Sequence, residues 1–359
     1  MKVAFVTSVI YPSPTANRIH ILSMAKAFAK KGLNVNLLCQ SISEVDLLSS
    51  IKKVEIGTAR SISSAWRYSS FLAKEKHDFW FVREPHLMLL TILFFFIRKF
   101  KQPPFILYEV HDMPRDFFDA ISLKFLTCFR EYQIIVITKL LKEDLVKKFN
   151  LNPSRVVVLP DGVDTDLFGS SRQENPLTEE KDATKPLVVY TGSLFPWKGV
   201  YALVDAAKDS PNLQFWIVGG YKNDIENLQK AAKSLANVRV WGYVLHSEIR
   251  NFLNLADVLV LPNSGTYRMS ERYTSPLKLF EYMATGKPIV ASKLPSIEEI
   301  LQDGKNGYLV EPDNPIALKE GIDRALTDEN RHTVTTKAKN DVANYTWDVR
   351  VEKILQSIK

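Results

Sequence analysis

Hydrophobic and polar positions along this chain follow one pattern twice. Short apolar runs rich in β-branched residues, typical of buried parallel strands, alternate with segments of helical period that end at glycine. The first repeat opens with KVAFVTSVI, and PLVVYTGSLFPWKGV restarts the pattern at residue 186. The alternation predicts an α/β fold with two Rossmann-like domains. We place these domains at residues 1–168 and 186–340, with a polar linker at 169–185 and a final helix over 341–359.

The segment YTSPLKLFEYMATGKPIVAS, residues 273–292, carries the strongest functional signal. It predicts a loop, a short amphipathic helix, a glycine turn and a buried strand. We expect Ser275 to cap the helix, Pro276 to occupy its first position and Gly286 to end it. The result is a helix N-terminus at the carboxyl edge of a sheet.

Such a helix start is suited to an anion. The backbone N–H groups of Leu277 and Lys278 have no partner within the helix, and the helix dipole also favours negative charge there. Glu281 lies one turn further along the same face, where its carboxylate could accept two hydroxyls such as those of a ribose. The alternative is a capped helix whose glutamate is only solvated.

This segment also resembles the donor-site segment of family 4 glycosyltransferases, which are retaining enzymes of the two-domain GT-B fold. The resemblance implies an E-x7-E motif whose second Glu, here Glu281, holds the nucleotide ribose. The first Glu of the motif touches the transferred sugar in that family, and Tyr273 stands in its place. The resemblance further implies that the two Rossmann-like domains face a cleft and that the terminal helix packs back on the first domain.

Two further segments of the second domain match that family. The loop GSLFPWKG resembles its G-R-L-x-x-x-K-G segment, which neutralises the leaving diphosphate, so that Gly192 and Lys198 become donor-binding candidates. Ser193 replaces the arginine of that segment. The region of Gly242 and Val244 resembles the loop that holds the base.

The first domain supplies candidates for the acceptor side and for catalysis. The strand FILYEV ends at His111, and open α/β sheets bind ligands at this end of their strands. The resemblance implies that His111 approaches the donor sugar, with Asp112 and Arg115 as supporting or acceptor-side groups. The loop after the first strand lacks the G-x-G-x-x-G pattern of a dinucleotide site. Its small residues stand where the family often has two glycines: Thr15, Ala16 and Asn17.

Composition and charge restrict the possible partners. Residues 1–165 carry 23 Lys and Arg against 15 Asp and Glu, so the net excess of +8 lies in the first half; the remainder carries 24 against 25. A basic half suits an anionic substrate, anionic lipid or nucleic acid. No recognisable nucleic-acid-binding module accompanies the charge, which argues against nucleic acid. Cys39 and Cys128 are too few for a disulfide framework and predict two buried thiols in a reducing compartment.

The apolar run around 87–97 has two interpretations. It is too short to span a bilayer, which needs roughly 20 residues, and it fits a buried helix of the first domain. Alternatively, its phenylalanines and the neighbouring basic residues dip into an anionic membrane surface. We therefore expect a cytoplasmic protein, with a peripheral position on the inner face of the membrane as the alternative.

Together these observations predict a retaining hexosyltransferase. The donor would be a UDP- or GDP-sugar, the acceptor a hydroxyl of a lipid-linked or cell-envelope glycan, with no cofactor and no metal. His111, Lys198 and Glu281 are the catalytic candidates. Two alternatives remain: a nucleotide-sugar epimerase of the same fold, and a catalytically weak protein that binds sugar nucleotides.

Overall fold

The computed structural model describes residues 1–11, 16–42, 47–57, 62–84, 89, 92–94, 97, 104–169 and 175–358. They form two compact units, which we call the first unit (1–161 and 347–359) and the second unit (162–346). The sequence placed the domain boundaries at 168 and 340 instead. Residues 175–185 lie within the second unit, where the Lys181 ammonium donates to Asp257 Oδ2 at 2.8 Å.

The first unit contains a parallel sheet of seven strands in the order β5-β3-β1-β6-β7-β8-β9, and β2 pairs with β4 separately. Phe5 on the interior strand β1 pairs with Leu37 on one side and Phe81 on the other, and all three are buried. The strands are β1 (Lys2–Val6), β2 (Ile10–Tyr11), β3 (Asn34–Cys39), β4 (Ser41–Ile42), β5 (Ile51–Glu55), β6 (Phe79–Val82), β7 (Phe105–Val110), β8 (Tyr132–Val136) and β9 (Val156–Val158).

Helices connect these strands in the described part of the first unit. They are α1 (Ala16–Lys30), α2 (Ile62–Lys74), α3 (Phe117–Leu126) and α4 (Lys139–Phe149). The helix α1 gives way to β3 at Gly32, whose φ of +81° is the left-handed conformation that glycine adopts freely.

The second unit repeats the architecture with six parallel strands in the order β12-β11-β10-β13-β14-β15. These strands are β10 (Leu187–Thr191), β11 (Gln214–Val218), β12 (Val238–Gly242), β13 (Val258–Leu261), β14 (Ile289–Ser292) and β15 (Tyr308–Val310). Its helices are α5 (Thr165–Phe168), α6 (Val200–Lys208), α7 (Lys222–Ala231), α8 (His246–Leu255), α9 (Arg268–Arg272), α10 (Leu277–Thr285), α11 (Pro295–Glu298), α12 (Pro315–Thr327) and α13 (Arg331–Asp341).

Alternate residues of β10 divide the core of the second unit in two. Leu187 and Val189 belong to the cluster on one face of the sheet, whereas Val188 and Tyr190 belong to the cluster on the other face. Both faces are covered because a parallel sheet carries its crossover helices on both sides, which explains the continuous apolar strands. The predicted α/β class with two parallel sheets is confirmed.

The last helix, α14 (Trp347–Ser357), returns to the first unit and packs on α1. Its Arg350, only 3% exposed, is buried among groups of the first unit. The guanidinium donates to Glu109 Oε1 at 2.5 Å, to the Pro160 carbonyl at 2.9 Å and to the Leu159 carbonyl at 3.1 Å. A charge removed from water is tolerated only when it is paired and hydrogen-bonded, and Arg350 meets both conditions.

The structure differs from two local expectations, at Cys128 and at the start of α10. Cys128 is exposed rather than buried, because it follows α3 on the surface. The expected Ser275 cap is wrong: Pro276 is the N-cap, and α10 begins at Leu277 without a side-chain capping bond. The run at 87–97 falls largely outside the described residues. Among the described residues no helix has the length and apolarity needed to cross a membrane.

We expect the substitution Arg350→Met to destabilise the chain by about 3 to 5 kcal/mol, because it leaves the Glu109 carboxylate buried without its main partner. The measurement is urea unfolding of the full chain, with Lys353→Met on the exposed face of α14 as the control. Adding Glu109→Gln to Arg350→Met should recover part of the loss. Equal losses for Arg350→Met and Lys353→Met would contradict the assignment.

Candidate functional site

The loop after β10 contains the first group of predicted donor-binding residues. Gly192 has a φ of +125°, and a Cβ there would lie 2.9 Å from Lys278 Nζ, so only glycine allows this close approach. The Tyr190 hydroxyl donates to the Ser193 carbonyl at 2.6 Å and holds the loop. At the other end of the loop, a Cβ on Gly199 would lie 1.8 Å from the Pro262 carbonyl oxygen. The loop is therefore packed closely against neighbouring backbone.

Lys278 is the most unusual side chain of the second unit. It lies in the first turn of α10, is 8% exposed, and its Nζ has no hydrogen-bond partner among the described residues. The ammonium sits 3.6 Å from the centroid of the Tyr190 ring, a cation–π contact. Burial and the nearby charge of Lys198 hold the pKa of Lys278 well below its ordinary value, and Glu281 opposes this only in part. An anion beside Lys278 would stabilise its charged form.

Lys198 provides a second cation at the same edge. It ends the short 3-10 helix Pro196–Lys198 and is half-buried. Desolvation lowers its pKa from 10.5 to about 8. The Trp197 carbonyl beside it accepts hydrogen bonds from the Ser264 backbone N–H at 3.0 Å and from the Ser270 hydroxyl at 3.2 Å. This anchoring gives Lys198 a defined position.

Glu281 follows Lys278 by three residues on the same helix and is 7% exposed. Its Oε1 lies 2.7 Å from His246 Nε2, and because a carboxylate can only accept, the imidazole donates. His246 was not among the predicted residues. It begins α8, and its ring meets the Phe168 ring edge-on at 5.4 Å.

The remaining donor-side candidates are placed as follows. Tyr273 is 3% exposed, and its hydroxyl accepts from Arg268 Nε at 2.8 Å. Gly242 is buried at the end of β12, and Val244 packs against the core. Ser275 and Pro276 are buried at the start of α10, and Leu277 is half-buried. The structure thus brings Gly192, Lys198, Lys278 and Glu281 together around one helix start.

Asn263 is a further residue that sequence reasoning missed. It follows β13 at the same sheet edge, is fully buried, and neither its Oδ1 nor its Nδ2 has a hydrogen-bond partner among the described residues. Buried polar groups are normally paired, so the Asn263 amide is a further candidate for contact with a ligand. A lone Asn in the loop PNSG gives no sequence signal that would distinguish it from a turn residue.

The first unit contains a buried charged network centred on Glu109 of β7. Besides Arg350, its carboxylate lies 3.3 Å from Arg83 Nε, 3.2 Å from His20 Nε2 and 3.4 Å from His111 Nε2. Burial alone would raise the pKa of Glu109, but His20, Arg350 and His111 hold it well below the ordinary value. A signal was available in the sequence, since Glu109 is the only charged residue of the strand FILYEV.

His20 of α1 is a neutral member of this network. Arg83 Nη1 lies 3.0 Å from His20 Nδ1, and since a guanidinium can only donate, Nδ1 accepts and the ring proton lies on Nε2. That proton faces Glu109, and Asp161 Oδ1 lies 3.4 Å from the same nitrogen. Burial lowers the pKa of His20 to about 4, an effect that Glu109 and Asp161 only partly offset.

His111, the predicted catalytic residue of the first unit, contacts this network directly. Its ring is edge-on to His20 at 5.1 Å and its side chain is 26% exposed. The ligand atoms of His20, Glu109 and His111 lie within 4.8 Å of one another, the spacing of a metal site. The donor set fits a metal poorly, however. A metal on His20 Nε2 would move the ring proton to Nδ1, where it would face the N–H of Arg83.

Three of the acceptor-side candidates of the first unit have described side chains: Asn17, Asp112 and Arg115. Asp112 accepts two hydrogen bonds from Arg115, at 2.9 and 2.8 Å, and Arg115 is largely exposed. An exposed pair of this kind contributes little to stability and leaves both groups accessible. Asn17 is exposed in the first turn of α1. Thr15 lies outside the described residues, as does the side chain of Ala16.

The aspartates of the segment PDGVDTDLF have different contacts. Asp164 caps α5, because its Oδ1 accepts from the backbone N–H groups of Asp166 and Leu167. Asp164 therefore has a structural capping role. Asp161 instead faces His20.

Two family models match the chain. "Glycosyltransferase Family 4" matches residues 18–167, and "Glycosyl transferases group 1" matches residues 171–341. Together the two models span both units apart from the chain ends.

Individual relatives agree with the models. The chain is 29% identical over 245 residues to the lipopolysaccharide 1,2-N-acetylglucosaminetransferase of Salmonella typhimurium, covering 63% of this chain and 62% of that protein. It is 28% identical over 233 residues to the phosphatidyl-myo-inositol mannosyltransferase of Mycobacterium tuberculosis, covering 62% and 59%. The alignments thus span about 60% of these curated relatives.

Solved structures give the same result for the fold. HepE from Anabaena, solved in complex with UDP and glucose, superposes with a TM-score of 0.80 at 17% identity, covering 99% of this chain and all of that one. At this identity the likeness concerns the fold alone. It confirms the predicted GT-B class.

We expect the free energy of unfolding to fall as the pH is lowered from about 6.5 to about 4. In this range His20 binds a proton in the unfolded chain, at its ordinary pKa, but stays neutral in the folded chain, so acid favours the unfolded state. At pH 5 the contribution of this one group is roughly 2 kcal/mol relative to pH 7.5. The measurement is urea unfolding at both pH values for the wild type, His20→Gln and the exposed control His332→Gln. An unchanged pH dependence in His20→Gln would contradict the role of His20.

Proposed function

This chain belongs to the family 4 glycosyltransferases, and on that premise we propose that it transfers a sugar from a nucleotide-sugar donor to an acceptor hydroxyl. One observation carries the proposal. Lys278 is a buried lysine with no hydrogen-bond partner among the described residues, and it lies on the same helix as a carboxylate, Glu281, with the half-buried Lys198 close enough to lower its pKa. This arrangement is suited to a nucleoside diphosphate, whose phosphates need cations and whose ribose needs an acceptor.

In the proposed reaction, the bond between the sugar and the diphosphate breaks while the acceptor oxygen bonds to the sugar carbon, and the proton of the acceptor hydroxyl passes to the released diphosphate. Negative charge grows on the leaving diphosphate, and groups that stabilise that charge lower the barrier. Lys198, Lys278 and the N–H groups at the start of α10 take this role. Glu281 anchors the ribose, and His111 of the first unit orients the sugar.

The finer assignments are also proposals. We propose a UDP- or GDP-hexose donor and retention of the anomeric configuration, as the family resemblance implies. Lysine side chains, rather than a metal, supply the positive charge. The acceptor is proposed to be a lipid-linked or cell-envelope glycan on the cytoplasmic side. The basic first half and the lipopolysaccharide and phosphatidylinositol substrates in the names of two relatives support this choice.

Substitution of the donor site tests the proposal. UDP- and GDP-sugars are first screened for thermal stabilisation, and transfer or hydrolysis is then measured with those that bind. We expect Lys198→Ala to lower kcat by about 100-fold, because it removes a cation at the leaving group. Glu281→Ala should raise the donor KM by about tenfold through the lost ribose contact. Lys230→Ala, on the exposed face of α7, is the control. Unchanged rates in both site variants would refute the proposal.

Proton linkage gives an independent test. A diphosphate next to Lys278 and Lys198 should raise the lowered pKa of both groups, so that binding is accompanied by net proton uptake. Affinity should consequently fall as the pH rises. Calorimetry of UDP and GDP binding in buffers of different ionisation enthalpy measures the uptake. Lys278→Met should reduce the uptake, whereas Lys230→Met should leave it unchanged; equal uptake in wild type and Lys278→Met would place the phosphates elsewhere.

A further inference from the structure

His246 is the polar neighbour of Glu281 that the proposed reaction has not used. Its Nε2 lies 2.7 Å from Glu281 Oε1, and the two side chains are 25% and 9% exposed. Their contact joins the start of one helix to the middle of another, because His246 is the first residue of α8 and Glu281 is the fifth residue of α10. A hydrogen bond to a charged acceptor is stronger than one between neutral groups, so this contact restricts the carboxylate.

The imidazole is itself held in place. Its ring meets the buried Phe168 ring edge-on, with the centroids 5.4 Å apart and the planes at 66°. The backbone of Leu245 immediately before it donates to Glu248 Oε2 at 3.1 Å and fixes the helix start. His246 therefore presents Nε2–H from a defined position.

The contact leaves the two carboxylate oxygens of Glu281 different. Oε1 accepts from His246, whereas Oε2 accepts no hydrogen bond among the described residues. A carboxylate without this restraint would be free to turn towards Lys278, one helical turn earlier, whose charge already interacts with it. Such a rotation would pair the Glu281 carboxylate with the Lys278 ammonium, and the carboxylate could then no longer accept hydrogen bonds from the ribose.

We propose that His246 is a positioning residue of the donor site that holds Glu281 Oε1 and thereby directs Oε2 to the ribose hydroxyls of a nucleoside diphosphate. The inference rests on the proposed function, since it assumes that Glu281 meets the ribose. It assigns ribose recognition to a pair of residues, Glu281 and His246, and leaves Lys278 available for the phosphates.

The proposal separates ribose recognition from phosphate affinity, and deoxynucleotides measure the difference. Calorimetry gives the affinities of UDP and GDP, and the tighter of the two is compared with its 2′-deoxy and 3′-deoxy forms. We expect His246→Ala to bind the ribonucleotide about tenfold more weakly, because Glu281 loses the charge-assisted bond that orients it. Binding of the deoxynucleotide that lacks the recognised hydroxyl should change little, so that the preference for ribose largely disappears.

Two variants complete the experiment. His246→Gln places an amide N–H near the position of Nε2 and should keep most of the ribose preference, whereas the exposed control His332→Ala should keep all of it. A purely structural role for His246 would lower the melting temperature of the free protein and leave the ratio of ribose to deoxyribose affinity intact. That result, or a His246→Gln variant as defective as His246→Ala, would overturn the inference. A wild-type protein that binds neither UDP nor GDP would instead refute the proposed function, and the inference with it.

Discussion

The burial of the Lys278 ammonium is the constraint on which the donor side of this protein depends. An ammonium removed from water without a hydrogen-bond partner destabilises the folded chain, and the contact with the Tyr190 ring offsets only about 1 to 2 kcal/mol of that cost. The close approach is possible because residue 192 is glycine. The fold thus retains an unfavourable positive charge that a bound anion would relieve. In the proposed function, that relief contributes to the affinity for the diphosphate.

The buried charge of the first unit, in contrast, has several partners within the protein. Glu109 is surrounded by Arg350, Arg83, His20 and His111, and the His20 ring stays neutral because burial lowers its pKa to about 4. Protein groups therefore surround this carboxylate, and they join α1, β7 and the terminal helix next to the side chain of His111. In the proposed function, this support from several elements keeps the His111 side chain in place when a substrate arrives.

Sequence patterns predicted most of the fold because local periodicity and glycine stops carry that information. Apolar runs identified strands such as β1 and β10, and the helix end at Gly286 was also placed correctly, with a φ of +70°. The helix start was misplaced because Ser275 is a good cap by residue type, whereas the backbone puts Pro276 there. Local patterns could not predict contacts between residues that are far apart in the sequence. Arg350 and Glu109 are 241 positions apart, and His246 and Glu281 are 35 apart. No single-sequence pattern relates residues at those separations.

Burial and charge also bear on Ser193, which stands where the corresponding segment of the family has an arginine. An exposed guanidinium is screened by water, whereas a charge in a less polar surrounding interacts several times more strongly at equal distance. Lys278 is buried and Lys198 half-buried, so two desolvated lysines can provide the field that a solvated arginine would add. Because folding has already removed these two lysines from water, they need little reorganisation during the proposed reaction. The replacement of one cation is therefore compatible with the proposed transfer, provided that Glu281 is kept from neutralising Lys278, which is the role that His246 has in our proposal.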